Sequence, residues 1–239
     1  MTSTPTRIIM LSGPRNISTT MMRSFESRPD TTVIDEPFYA SYLKSSGANH
    51  PMREEIISSQ PSDWETAIEN LRAPALSGHS YVFEKHIAFH LTFAPDFRWL
   101  NKQKMFHLIR HPAAMVASYK NKLDDVAPIS HSYEIQREIY QRAPAPIVDA
   151  ADILRNPAEM LEKLCDVLGL EFSKHMLSWP TGVRNTDGIW AAHWYDAVVN
   201  STGFLPYTEK GIALSGELDA IAKASMDDYC YFYERRLQV

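Results

Sequence analysis

The chain has 239 residues, 44% apolar and 22% charged, with 24 Lys plus Arg against 29 Asp plus Glu for a net charge of −5. That balance excludes a general nucleic-acid binder, which needs a basic surface to displace counterions. Mixed charges and 11% aromatic residues exclude disorder as the main state. Two cysteines, Cys165 and Cys230, are too few for a cysteine-rich zinc site and too isolated for a disulfide framework. Met1 to Thr6 is polar, and the apolar run Ile8–Leu11 stops at Ser12-Gly13-Pro14, so no export signal is expected. No stretch approaches the roughly 20 apolar residues of a membrane span. The expected setting is cytoplasmic, with neither membrane nor nucleic acid as partner.

In chain order, Arg7–Leu11 is a short apolar run closed by turn residues, the pattern of a strand buried on both faces. Met21, Met22 and Phe25 at helical spacing predict a helix over Ser18–Ser27, and Thr31–Asp35 is a second strand that stops at Glu36-Pro37. Tyr39–Ser46 reads as a helix, and the polar stretch Gly47–Pro61 as a loop or lid. Ser62-Asp63 caps a helix over Trp64–Leu71. Ser80–Lys85 and Lys104–Ile109 are the third and fourth strands, and Pro112 opens a helix to Lys122. Ser132–Arg142 is helical by pattern, and Pro146–Asp149 is a short fifth strand. Asn156-Pro157 opens a helix with Met160, Leu161, Leu164, Cys165 and Leu168 on one face and Gly169 at its end. A Trp-rich segment, Trp179–Trp194, precedes a final helix over Glu217 to about Arg236. Trp190, Trp194 and Tyr195 form a stripe of the kind that more often packs in a core than lines an acceptor pocket.

Short apolar strands alternating with helices predict an α/β fold with a central parallel sheet covered on both sides. Ligands of such sheets bind beyond the carboxyl ends of the strands. Strand one ends in Gly13-Pro14-Arg15-Asn16-Ile17-Ser18-Thr19-Thr20, strand two in Asp35-Glu36-Pro37, strand three in Glu84-Lys85-His86 and strand four in Arg110-His111-Pro112. All four ends are polar or charged and converge on one expected site. The first loop, followed by a helix that starts with hydroxyl residues, suits phosphate or sulfate through backbone N–H groups and the Arg15 fork. A nucleotide-triphosphate loop from Gly13 would need a second glycine where Ser18 stands and a lysine where Thr19 stands, which argues against a kinase.

Pro14-Arg15-Asn16-Ile17-Ser18-Thr19 resembles the P-R-S-G-S-T loop of sulfotransferases that use 3′-phosphoadenosine 5′-phosphosulfate, or PAPS, in which the loop grips the 5′-phosphosulfate. Arg110-His111-Pro112 with Ser118 eight residues after the arginine is similar to that family's R-[ND]-P…S element, which holds the 3′-phosphate. Asp35-Glu36-Pro37 resembles the E-P element of bacterial and carbohydrate sulfotransferases, and Asp152 to Leu170 their D-L-x-x-x-P…L-C-x-x-L-G-L segment. The resemblance spans about residues 7–200.

It implies a P-loop NTPase-like three-layer fold in a single domain over 1–239, and transfer of a sulfuryl group from PAPS to a hydroxyl of a small-molecule acceptor without a metal. By the same resemblance Arg15, Asn16, Ile17, Ser18, Thr19, Thr20, Arg110, Ser118 and Arg184 are expected to bind the nucleotide. Arg15 and Lys85 are expected at the transferring group. Glu36 is the first candidate base, against a purely anchoring role toward Arg15 or a neighbouring loop. His86 is the rival, because Lys85-His86 is similar to the K-x-H element of cytosolic sulfotransferases. Ile17 stands where the loop has glycine; a β-branched residue resists positive φ, so a differently shaped turn is expected there. A non-catalytic protein that keeps the fold as a binding platform is the alternative reading.

Overall fold

The computed structural model describes residues 4–72, 78–120, 128–209 and 211–239. Its strands are β1 (Thr6–Ser12), β2 (Thr31–Asp35), β3 (Tyr81–Ile87), β4 (Lys104–Ile109) and β5 (Ile147–Asp149). They form a parallel sheet in the order β2–β3–β1–β4–β5. The predicted strands are all present, because a run such as Ile8–Leu11 is apolar at every position only if both faces are covered. Alternation divides it: Ile8 and Met10 enter one core, Ile9 and Leu11 the other, and all four are fully buried.

Between these strands run α1 (Ser18–Glu26), α2 (Tyr39–Ser46), α3 (Arg53–Ser59) and α4 (Trp64–Arg72). After β4 come α5 (Pro112–Lys120) and α6 (Pro128–Arg142), and after β5 come α7 (Ala150–Arg155) and α8 (Pro157–Leu168). The face carrying Ile8 and Met10 is covered by α1 and α8, with Phe25 stacked on Phe83 of β3 at 4.2 Å. The face carrying Ile9 and Leu11 is covered by α4 and α6 through Ile68, Leu71, Ile135 and Ile139. Helices on both faces of a parallel sheet make the three-layer α/β arrangement that the sequence predicts.

Helix α8 follows the sequence signals closely. Asn156 accepts from the Glu159 N–H, Pro157 begins the helix, and Gly169 ends it at φ 64°. Three expectations need correction. The loop or lid expected over Gly47–Pro61 contains α3, whose Ile56 is fully buried and whose start at Met52 has no side-chain cap to announce it. The final helix is two, α11 (Gly216–Ala224) and α12 (Met226–Tyr233), which meet at Ser225, φ −91° and ψ −4°, the end of one and the start of the other. They follow two short helical turns, α9 (Ala191–Trp194) and α10 (Asp196–Val199). Strand β3 runs to Ile87 rather than stopping at Lys85. The expected end of α5 at Lys122 lies outside the described residues. Among the described residues no helix is long and apolar enough to cross a membrane.

Candidate functional site

Beyond the carboxyl ends of all five strands lies a cavity of about 910 Å³. The turn after β1 forms one wall, with Arg15, Ser18 and Thr19 facing the cavity and Arg110 and Ser118 beside them. Glu36, Lys85, Tyr39 and His90 line the same cavity.

The β1–α1 turn takes its shape from Asn16 and two left-handed residues. Asn16 is fully buried and its side-chain amide donates to the Leu108 carbonyl on β4 at 3.1 Å, so it anchors the turn rather than lining the cavity. Arg15 and Ile17 flank it at φ 60° and 57°. The turn therefore keeps at Ile17 the backbone conformation a glycine would take, against expectation. Such a conformation costs roughly 1–2 kcal/mol in an L-residue. Partial burial of the Ile17 side chain against the core and the Met21 N–H bond to its carbonyl, 3.0 Å, offset it. No side chain caps α1, so its first-turn N–H groups at Ser18, Thr19 and Thr20 are left as anion donors. Asn16→Ala should lower stability by about 1–3 kcal/mol, read as a shift in urea midpoint, since Leu108 loses a buried donor.

Two guanidiniums share this wall. Arg15 Nε donates to Ser118 Oγ at 3.1 Å and Nη1 to the Trp194 carbonyl at 3.4 Å. Arg110 Nη1 donates to the Arg15 carbonyl at 2.5 Å. The side chain of Arg15 thus lies beside Ser118 and Arg110 instead of standing apart from them. Neither guanidinium forms an ion pair with a carboxylate among the described residues. Asp149, which pulls Arg110 electrostatically, is engaged by the Ala151 N–H and by the Tyr229 hydroxyl. Burial lowers the pKa of both arginines, and Arg15 lowers that of Arg110 further. Asp196 acts on Arg15 and Asp149 on Arg110 only at a distance, and two partly buried like charges with no carboxylate in contact among the described residues attract an anion.

Near the ends of β2 and β3 Asp35 and Lys85 are register partners on adjacent parallel strands. Lys85 Nζ, 1% exposed, donates to Asp35 at 2.9 Å, to Glu36 and to the Tyr195 hydroxyl at 2.5 Å. Tyr195 also donates to Asp35 at 2.7 Å and accepts from Trp190 Nε1 at 3.0 Å. Two carboxylates thus share one ammonium. Asp35 is further bonded by the Gly188 N–H, whereas burial and the Asp35 charge push Glu36 up to about 7 despite Lys85. Lys85 loses by burial and gains more from the two carboxylates, so its pKa is raised. Glu36, at φ 41°, stands in left-handed backbone, its carbonyl held by the Gln60 amide and the Tyr39 N–H.

Besides Asn16, two expected residues lie away from the cavity. His86 follows Lys85 on a strand, so it points to the far face of the sheet, where its Nε2 meets Glu84 at 3.0 Å between Phe38 and Trp99. Arg7 pairs with the same Glu84. Arg184 is bound to Glu26 of α1 at 2.7 Å and does not line the cavity. Conversely, His90 reaches the cavity although no motif marks it. It sits on a short turn, Ala88–Leu91, that begins where β3 actually ends. The aromatic stripe divides: Trp190 is in the core at 2% exposure, while Trp194 and Tyr195 also border the cavity.

A sulfotransferase domain family model matches residues 6–235. Two Arabidopsis thaliana proteins, branched-chain-amino-acid aminotransferase-like proteins 1 and 2, are 34% identical to this chain over 201 and 199 residues, 81% of its length. The chain spans 35% of the length of each. Among solved structures, the sulfotransferase domain of the curacin biosynthetic pathway aligns over 95% of this chain and 98% of its own, at TM-score 0.57 and 16% identity. The sulfotransferase domain of the Synechococcus PCC 7002 olefin synthase aligns over 92% and 94%, at TM-score 0.56 and 16% identity. A sulfotransferase from Alicyclobacillus acidocaldarius aligns over 99% and 98%, at TM-score 0.59 and 10% identity. At these identities the structures share the fold.

Proposed function

Because the chain belongs to the sulfotransferase domain family, we propose that it transfers a sulfuryl group from PAPS to a hydroxyl of a small-molecule acceptor. The observation that carries this reading is the pair Arg15 and Arg110, two partly buried cations lining one cavity, neither in ion-pair contact with a carboxylate among the described residues. A nucleotide with phosphates at both the 3′ and 5′ positions answers both charges. Arg110 and Ser118 then hold the 3′-phosphate, and the N–H groups of Ser18, Thr19 and Thr20 meet the 5′-phosphosulfate at the start of α1. Arg15, lying between Ser118 and the turn, bridges the two ends.

Sulfuryl transfer needs in-line placement, charge stabilisation on the leaving oxygen and a base for the acceptor proton, as phosphoryl transfer does. The turn and its arginines supply the charge stabilisation. Glu36 faces the cavity and titrates at about 7, so above neutral pH it is an anionic base held in place by Lys85. Lys85 is committed to Asp35, Glu36 and Tyr195, which makes it the residue that orients the base.

Calorimetry with 3′-phosphoadenosine 5′-phosphate tests the reading. Arg110→Ala should weaken binding by about 1.5–3 kcal/mol, tenfold or more, through loss of a charge-assisted bond. An unchanged affinity would place the 3′-phosphate elsewhere.

A further inference from the structure

The Trp-rich segment takes no direct part in charge stabilisation or proton transfer, yet it closes on the residues beside Glu36. The Gly188 N–H donates to Asp35 Oδ2 at 3.0 Å, and the Trp190 ring folds back over Gly188, where a Cβ would lie 2.0–2.2 Å from it. That fold aims Trp190 Nε1 at the Tyr195 hydroxyl, 3.0 Å away. One residue before Tyr195, the Trp194 carbonyl accepts from Arg15 at 3.4 Å. Tyr195, 3% exposed, is therefore fixed by the arginine turn through its chain neighbour and by Trp190 through its hydroxyl.

The hydrogen bonds of this cluster leave nothing over. The three N–H groups of Lys85 go to Asp35, Glu36 and Tyr195, which leaves none for a substrate oxygen. The Tyr195 hydroxyl gives its one proton to Asp35 and takes Lys85 and Trp190 Nε1 on its two lone pairs. Burial and the two carboxylates hold the phenol protonated, as donation to Asp35 requires. Asp35 collects Lys85, Tyr195 and the Gly188 N–H, whereas Glu36 has Lys85 close and Tyr195 only at 3.5 Å. Glu36 is also faced by Tyr39 of α2 and by His90 Nδ1 at 3.7 Å, but burial keeps both uncharged. Lys85 and Asp35 thus carry the charges beside it, and two carboxylates compete for one ammonium.

We propose that Asp35 and Tyr195 are positioning residues for Glu36: Asp35 draws the Lys85 ammonium away from it, and the Tyr195 hydroxyl, by satisfying Asp35 and holding Lys85 between the carboxylates, keeps that ammonium on Glu36. With its hydrogen bonds used up, Tyr195 acts through Lys85 although it borders the cavity. The proposal rests on the sulfuryl-transfer reading for what Glu36 does, but not for how these side chains share their charge. It gives the Trp-rich segment a task, since Gly188 and Trp190 hold the two groups that set the balance.

The test reads Glu36 directly, by the 13C resonance of its side-chain carboxyl in glutamate-labelled protein, assigned by its loss in Glu36→Gln. The wild-type midpoint should lie near 7. Tyr195→Phe keeps the ring and should raise that midpoint by about one pH unit, since Asp35 then pulls harder on Lys85. Asp35→Asn removes the competing charge and should lower it by about as much. In the Asp35→Asn background, Tyr195→Phe should raise it by about half as much or less, because no second carboxylate is left to draw the ammonium away. Turnover with PAPS should follow the titration. Tyr195→Phe should be about fivefold slower than wild type at pH 7 and nearly equal at pH 9, a recovery that loss of packing would not give. A wild-type midpoint in the ordinary carboxylate range, an unmoved midpoint in Tyr195→Phe, a rise in Asp35→Asn, or equal effects of Tyr195→Phe in the two backgrounds would overturn the proposal. If Tyr195→Phe does not fold, the direction of the Asp35→Asn shift decides. A wild-type protein that titrates as expected but turns over no PAPS would instead overturn the sulfuryl-transfer reading and leave the charge sharing standing.

Discussion

Glu36→Gln should cut turnover with PAPS by about 10²–10⁴-fold, the usual contribution of a general base, while leaving affinity for 3′-phosphoadenosine 5′-phosphate unchanged. Glutamine keeps the length and an oxygen for Lys85 but cannot take a proton. With Glu36 as the proposed base, the rate of the wild-type protein should climb with pH through about 7, since the carboxyl is protonated below that value. The stability effect of the same group runs the other way. A folded pKa raised from 4.5 to about 7 favours the folded state fully below pH 4.5, and that contribution is lost as the pH rises toward 7. Rate and stability therefore move in opposite directions across one pH interval. A pH–rate profile without an inflection near 7, or turnover intact in Glu36→Gln, would remove Glu36 from the chemistry.

Lys85→Met should lower folding stability by about 3–5 kcal/mol, the range for breaking a buried ion pair by removing one partner. The methionine fills the volume, but Asp35 and Glu36 are left buried without their cation. Asp35 keeps the Tyr195 hydroxyl and the Gly188 N–H, so the burden falls more heavily on Glu36. The loss should grow from pH 6 to pH 8, since protonation of Glu36 relieves it at the acid end. Adding Glu36→Gln to Lys85→Met should recover part of the loss, which urea midpoints at the two pH values would show. If the double variant were no more stable than Lys85→Met, the cluster would not be coupled through charge.

The scaffold was legible because its strands are apolar on both faces and their ends are charged. Reading what each strand carries at its end located Arg15, Glu36, Lys85 and Arg110 on one cavity. The limits of that reading follow from one or two residues of offset. Ending β3 at Lys85 made His86 an end residue, whereas the strand continues to Ile87 and strict alternation turns His86 to the far face. The same offset hid His90, which lies just past the true end. Arg184 could not be placed from its neighbours in sequence, because Glu26, 158 residues away, decides where it goes. Ile17 shows the opposite limit. Residue preference argued against a left-handed backbone there, but the buried Asn16 anchor and the packing of Ile17 impose one.

The affinity of 3′-phosphoadenosine 5′-phosphate set beside that of adenosine 5′-phosphate tests most directly whether Arg15 and Arg110 form a receptor for a nucleotide with two separated phosphates. The extra 3′-phosphate should tighten binding about tenfold or more at low salt, and Arg110→Ala should abolish that advantage while leaving adenosine 5′-phosphate little affected. Equal affinity for the two nucleotides, or no binding of either at millimolar concentration, would contradict the account.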